Sequence, residues 1–289
     1  MEQAAGNYYV PHGSRWPIVG SVALFLFMAG AASMLNGNKS LGNPLFIAGF
    51  LLLVVMLFGW FGAVIKESLA GMFNSQVDTS FRMGMVWFIF SEVMFFAAFF
   101  GALFYARILS VPWLGGAGEG FSTNQLLHSG FVAAWPTNGP GNIGGSFQTL
   151  SAWGIPLLNT LLLLTSGLTI TLAHWALKLG QRRSLIFWMA ATIVLGIVFL
   201  YWQVIEYMHA YNELGLTLGA GIYGSTFFML TGFHGMHVTL GTIMLIVILF
   251  RCMSGHFTKE HHFAFEAVAW YWHFVDVVWL GLFVFVYVL

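Results

Sequence analysis

Charged side chains are scarce in this chain of 289 residues, since Asp, Glu, Lys and Arg together make up only 7% of it. A soluble domain carries nearer a quarter charged residues, so this deficit excludes an ordinary globular protein. The formal net charge is zero, which argues against a nucleic acid as partner. Cys252 is the single cysteine, so no disulfide can form within the chain. We expect no cleavable signal peptide, because the first residues lack a basic segment followed by an apolar run and a small-residue cleavage site.

Apolar residues are abundant, at 59% of the chain, and they cluster in long runs. A helix needs about 20 apolar residues to cross a bilayer. Seven segments reach that length: 16–36, 44–65, 82–108, 155–177, 184–208, 221–250 and 264–288. The segment 109–154 is rich in Gly, Pro, Ser and Asn and has no helical period, which predicts an extended loop. The sequence therefore predicts an all-α, polytopic membrane protein with one transmembrane domain, 1–289.

The basic residues predict the orientation of these spans. With the N-terminus on the inner side, eight of the ten Lys and Arg residues fall inside and two fall outside. The inner eight are Arg15, Lys66, Arg82, Lys178, Arg182, Arg183, Arg251 and Lys259, and the outer two are Lys39 and Arg107. This bias obeys the positive-inside rule and places the C-terminus and the loop 109–154 outside.

The connection between the second and third spans predicts a division of the bundle. Residues 66–81 are polar, and they are many for a tight helical hairpin. The chain can therefore form a two-helix unit, 16–66, beside a five-helix unit, 82–289, with a cleft between them.

The last span carries three ionisable residues in an apolar stretch. Glu266, His273 and Asp276 are spaced by seven and three residues, so they share one helical face. Ionisable groups at membrane depth are costly and are rarely found there without a partner or a task. We expect this face to form a polar seam that points into protein.

Glu92 is a further acid at membrane depth. It lies ten residues after Arg82, which places it roughly 15 Å along the third span, near the centre of the hydrocarbon layer. Burial at that depth favours the neutral carboxylic acid. Two interpretations stay open: a proton-linked or lipid-contacting acid, and a protonated acid that bonds to a neighbouring helix.

His234 and His237 lie three residues apart on one face of the sixth span. Paired histidines in a bundle can bind haem or a metal, but a metal site needs further ligands from facing helices. His174, Glu206, His273 and Asp276 could supply them, although no spacing demonstrates convergence. The close-packing glycines nearby favour histidines that bond across helices. We therefore expect no metal on this pair.

Several long segments resemble subunit III of cytochrome c oxidase, from the haem–copper terminal oxidases. They are SEVMFFAAFFGALFYARI at 91–108, PLLNTLLLLTSGLTIT at 156–171, EY at 206–207, GIYGSTFFMLTGFHGMHVTLGTIML at 221–245 and HFTKEHHFAFEAVAWYWHFVDVVWL at 256–280. The resemblance begins near Trp16 and extends to the end of the chain, and the loop 109–154 is its main departure.

The resemblance implies seven helices arranged as two plus five around a lipid-filled cleft. It implies that this chain binds no haem or copper and no metal of its own, since those centres belong to the partner subunits I and II. Glu92 matches the family's buried glutamate, which is associated with the environment of proton uptake. The positions that match residues near lipid headgroups are Lys66, Glu67, Arg251, His256 and His262, with Trp60 close to a family tryptophan pair.

The function implied is that of a redox-silent auxiliary subunit, which supports proton uptake and sustained turnover of the complex and holds phospholipids. Subunit III of a quinol oxidase is the nearest alternative, because the electron donor is selected by other subunits. A transporter would predict pseudo-symmetric halves, which the sequence does not show, and a metal-containing membrane enzyme would carry its own metal. The Gly-rich outer loop favours a bacterial plasma membrane over the mitochondrial inner membrane.

Overall fold

A computed structural model describes residues 8–10 and 13–289, and these residues form helices and loops without a strand. The helices are α1 Trp16–Leu35, α2 Lys39–Leu69, α3 Ser75–Phe104, α4 Val111–Leu114, α5 Phe121–Leu127, α6 Ile155–Leu179, α7 Arg182–Asn212, α8 Gly221–Met253 and α9 Phe263–Leu282. Seven segments are long and apolar enough to cross a membrane, so the all-α, seven-span prediction is confirmed.

Two predicted boundaries were wrong. The connection between α2 and α3 is not the long stretch 66–81 but only residues 70–74, because both helices extend into the polar sequence. Asn74 begins α3 by accepting a hydrogen bond on its side-chain oxygen from the Val77 amide at 2.9 Å. One turn later, Asp78 and Arg82 form an ion pair at 2.7 Å on the helix surface. Polar residues that resembled a loop therefore form the first turns of a helix.

The loop 109–154 also contains helical structure that the sequence did not predict. The third span continues beyond Phe104 through a π-helical segment, Tyr105–Ser110, into α4, and a 3₁₀ turn, Gly118–Gly120, precedes α5. Asn124 stabilises this region, since its side-chain amide donates to the carbonyls of Leu114 and His128 at 2.8 and 3.0 Å. Hydrogen bonds from a side chain to nearby backbone groups stabilise this region, which has no helical pattern of apolar residues.

The chain divides into two compact units, one up to Met83 and one from Gly84 to Leu289. Within the first unit, α1 and α2 form a hairpin joined at Asn36, Gly37 and Asn38, where Gly37 adopts φ +83°. Close approach of the two helices depends on glycine. A Cβ on Gly30 would meet the backbone of Phe46, and a Cβ on Gly49 would meet the backbone of Phe27.

The second unit has its core among α6, α7, α8 and α9. In the most apolar 18 residues of the last span, Phe263–Val288, 50% of the residues are buried within the protein. The corresponding share for the third span, Ser75–Leu114, is 11%. Two tryptophans on α9 bond directly to hydroxyl groups on α6. The Trp272 indole donates to Ser166 Oγ and the Trp279 indole donates to Thr160 Oγ1, both at 2.9 Å. These contacts fix the register of α9 against α6.

Candidate functional site

Glu92 on α3 and His237 on α8 form a close pair inside the second unit. His237 Nε2 lies 2.7 Å from Glu92 Oε2, and His237 Nδ1 lies 2.6 Å from the carbonyl oxygen of Phe233. A carbonyl oxygen only accepts hydrogen bonds, so Nδ1 carries a proton and donates it. The contact between Nε2 and Oε2 then contains one shared proton, held by the imidazole or by the carboxyl group. This pair can exchange a proton without any movement of its heavy atoms.

Aromatic rings pack around the pair. The His237 ring centroid lies 5.0 Å from that of Phe96 and 5.9 Å from that of Phe95. The His237 side chain is 6% exposed and the Glu92 side chain is 21% exposed. The imidazole is therefore enclosed, whereas the carboxyl group keeps a path to the surface of the chain. Such a low-dielectric setting strengthens the hydrogen bond between the two groups.

His234 points to different partners from His237. Its Nε2 lies 3.2 Å from the carbonyl oxygen of Val275 on α9, and its ring packs against Phe199 and Trp279. The two histidines of the sixth span thus bond to different partners, and both ring nitrogens of His237 are engaged. This geometry favours the interpretation in which they bond across helices.

The predicted polar seam of α9 lies against α6. Glu266 and Asp276 are buried, and the His273 side chain is 45% exposed. His273 Nε2 lies 3.4 Å from Thr171 Oγ1 on α6, and Nδ1 lies 3.9 Å from Asp276 Oδ2. The seam therefore contacts protein along much of its length, with His273 at its exposed edge.

Glu266 also belongs to a cluster of three side chains that was not predicted from the sequence. Its Oε1 lies 3.1 Å from His262 Nε2 and 3.4 Å from His174 Nε2. His262 and Glu266 are four residues apart, a spacing that could have indicated the pair. His174 lies on α6, 88 residues before His262 in the sequence, so no local pattern indicated its convergence.

The residues matched to lipid positions have varied surroundings. In the first unit, Trp60 and Lys66 are exposed and Glu67 is partly exposed. In the second unit, the Arg251 guanidinium lies 4.5 Å from the ring centroid of Phe257, and His256 is partly buried. His262 is 8% exposed, and its Nδ1 lies 3.0 Å from the carbonyl oxygen of Thr258. Its burial favours a contact with protein over a contact with a headgroup.

Seven apolar helices with paired histidines and carboxyl groups in the interior define a multi-pass helical membrane protein. The family described as cytochrome c oxidase subunit III matches residues 6–289 of the chain. The chain is 40% identical over 281 residues to cytochrome c oxidase subunit 3 of Prototheca wickerhamii, covering 97% of this chain and 96% of that protein. It is also 40% identical over 288 residues to the subunits 3 of Danio rerio and Latimeria chalumnae, covering 99% of this chain and 98% of each relative. The chain belongs to the cytochrome c oxidase subunit III family.

This membership confirms the resemblance found in the sequence. The chain is a subunit of an oxidoreductase complex of the respiratory chain and electron transport, and it has partner subunits in that complex. The relatives named above are eukaryotic, and the bacterial origin favoured by the outer loop stays a prediction.

Proposed function

We propose that this chain is a redox-silent auxiliary subunit that supports proton uptake and sustained turnover of cytochrome c oxidase. The observation that carries the proposal is the close pair formed by Glu92 and His237, whose Oε2 and Nε2 atoms lie 2.7 Å apart. An enclosed imidazole beside a partly exposed carboxyl group can accept a proton and release it again. Oxygen reduction and proton pumping consume protons, so a nearby acceptor helps to keep the proton supply in step with turnover.

The partners in this proposal are subunits I and II, which would hold the haem and copper. Within this chain, His237 has no free ring nitrogen for iron or copper, and His234 is directed at a backbone carbonyl. This geometry supports an auxiliary role in which buried histidines make contacts and hold protons. Electron transfer would then proceed through the partner subunits alone.

Phospholipid binding forms the second part of the proposal. Lys66 is in the last turn of α2, and Arg251 is in the last turn of α8. Basic side chains at helix ends near a membrane surface attract anionic headgroups. Trp60 is 45% exposed on α2, and an exposed indole suits the boundary between acyl chains and headgroups. We expect each of these residues to contact ordered phospholipid.

The substitution Glu92→Gln tests the proton-linked role in the purified complex. Glutamine keeps the shape and can still bond to His237 Nε2, but it cannot exchange a proton. We expect unchanged haem absorption spectra and an unchanged initial rate, followed by faster inactivation during turnover. Phospholipid content, measured by mass spectrometry, reports whether lipid retention also changes.

The matched control is Glu213→Gln, which alters another glutamate paired with a histidine, at 3.0 Å from His209, but with a 70% exposed side chain. This control should retain the turnover stability of the unmodified complex. A lost haem signal in the Glu92→Gln complex would contradict the auxiliary role. Equal inactivation rates in both variants would contradict the proton-linked role of Glu92.

A further inference from the structure

Three potential metal ligands converge between α6 and the start of α9. His174, His262 and Glu266 each offer one ligand atom, and these three atoms all lie within 4.8 Å of one another. His262 is 8% exposed and Glu266 is 9% exposed, so two of the three ligands are buried inside the protein. We propose that these three residues bind a divalent transition-metal ion, and that zinc is the ion that fits best.

The two distances from Glu266 to the histidine nitrogens match those of a metal coordination shell. Oε1 of Glu266 lies 3.1 Å from one imidazole nitrogen and 3.4 Å from the other. With metal–ligand distances near 2.05 Å in a tetrahedral site, neighbouring ligand atoms lie about 3.3 Å apart. Neither Nε2 atom has a hydrogen-bond partner within the part of the chain that the structure describes, although both are buried. Two buried imidazole nitrogens without such a partner, close to a carboxylate oxygen, are suited to a common central ion.

The orientation of His262 supports the same conclusion. Its Nδ1 lies 3.0 Å from the carbonyl oxygen of Thr258, so Nδ1 carries the proton and donates it. This bond leaves the Nε2 lone pair directed at the cluster. Metal-binding histidines almost always donate their other ring N–H to a carbonyl or carboxylate, which fixes the tautomer and the ring orientation. Thr258 therefore supplies the outer contact that such a ligand needs.

The donor set distinguishes among metals. Two imidazole nitrogens and one carboxylate oxygen suit zinc, whereas magnesium and calcium prefer oxygen ligands only. Three protein ligands leave a fourth position for water. The His174 side chain is 22% exposed, which gives an ion a path of entry. Lys178 lies one turn further along α6 and is exposed, and its charge opposes a cation bound at His174.

Zinc at this position would link α6 to the segment that precedes α9 without adding a redox centre. The proposal differs from the expectation that the chain binds no metal, which the resemblance to the family implied. It is also independent of the proton-linked role of Glu92, because the two sites share no residue. The zinc proposal and the proton-linked role of Glu92 can therefore be confirmed or contradicted separately.

The test measures zinc in the purified oxidase complex that contains the full chain. The complex is treated with a chelator, dialysed and equilibrated with micromolar zinc chloride, and bound zinc is counted by mass spectrometry. We expect the Glu266→Gln complex to hold one zinc ion fewer than the unmodified complex, with an affinity for this site at least about tenfold weaker. The Glu213→Gln complex, in which an exposed i,i+4 pair with His209 is altered, should hold the same zinc as the unmodified complex.

The haem spectrum shows whether the Glu266→Gln complex assembles. Two further measurements test the proposal if it does not. His174→Gln removes a ligand from α6 without altering the start of α9, and it should also lose one zinc ion. In crystals of the unmodified complex, anomalous difference density at the zinc absorption edge should lie among the three ligand atoms. Equal zinc in the unmodified and ligand-deficient complexes, binding only at millimolar zinc, or no anomalous density at this position would overturn the proposal.

Discussion

At the residue scale, Gly167 permits the close contact between α6 and the polar face of α9. A Cβ built on Gly167 would lie 2.5 Å from Asp276 Oδ2. Atoms in ordinary contact stay well beyond that distance, so a side chain here would displace the carboxyl group or separate the helices. Asp276 is 7% exposed, which leaves its carboxyl group little room to move.

The substitution Gly167→Ala should therefore destabilise the second unit. Insertion of a methyl group into a packed interior costs typically 1–3 kcal/mol, so we expect a loss of about that size. The temperature at which the purified complex releases this subunit measures the effect. Gly235→Ala on α8 is the control, because a Cβ there meets no atom within 4 Å in the described residues. A release temperature lowered equally in both variants would show that the contact with Asp276 is not responsible.

The sequence predicted which residues are unusual but not how they pair. Glu92, Glu266 and Asp276 are recognisable because acids are rare in apolar runs. Glu92 has a distant partner, since 145 residues separate it from His237. Such pairing depends on how the helices pack, and a helical period contains no information about the neighbouring helix. The four-residue spacing of His262 and Glu266 and the three-residue spacing of His273 and Asp276 were visible locally.

At the element scale, the α1–α2 hairpin packs through its glycines. Gly30 on α1 and Gly49 on α2 each face the backbone of the opposite helix. Membrane helices lack a hydrophobic driving force for association, so close backbone approach and van der Waals contact stabilise the pair. The Phe27 and Phe46 rings, with centroids 4.3 Å apart, pack beside these glycines.

Substitution Gly49→Val should separate the two helices, since its side chain would meet the backbone at Phe27 and Ala23. We expect faster amide hydrogen exchange in α1 and α2, because weakened packing lowers the free energy of local opening. Hydrogen-exchange mass spectrometry of the complex resolves these segments. Gly62→Val is a matched control on the same helix, with open space around its Cβ. Unchanged exchange in the Gly49→Val variant would contradict glycine-mediated packing.

Helix existence was predictable from apolar runs, whereas helix ends were not. The sequence predicted a span at 82–108, but the helical segment runs from Ser75 to Leu114. At its beginning, polar residues form a cap and an ion pair that hydropathy does not detect. At its end, the π-helical segment extends the span into residues that the composition had suggested were a loop.

At the scale of the whole molecule, seven membrane crossings within residues 13–289 would place the two ends of that segment on opposite sides of the membrane. The described helices fix the number of crossings but not their direction. The direction rests on the eight basic residues that the positive-inside rule assigns to one side. The inner position of the N-terminus thus remains a prediction.

Engineered cysteines in the complex can determine this direction. A membrane-impermeant thiol reagent applied from the outer side should label Ser146→Cys in the long loop and leave Lys259→Cys unlabelled. The native Cys252 is 2% exposed, so it should not react. Labelling of Lys259→Cys alone from the outer side would show that the orientation is the reverse of the predicted one. Labelling of both positions from one side would contradict the predicted topology.

The contact between α6 and α9 also constrains how this protein can change over evolutionary time. Trp272 and Trp279 each donate an indole proton to a hydroxyl group, Ser166 and Thr160 respectively. Loss of one hydroxyl leaves a buried donor unsatisfied, at a cost of about 1–3 kcal/mol, whereas joint replacement by apolar residues of similar shape can be nearly neutral. Mutational drift at these positions should therefore proceed as covarying pairs.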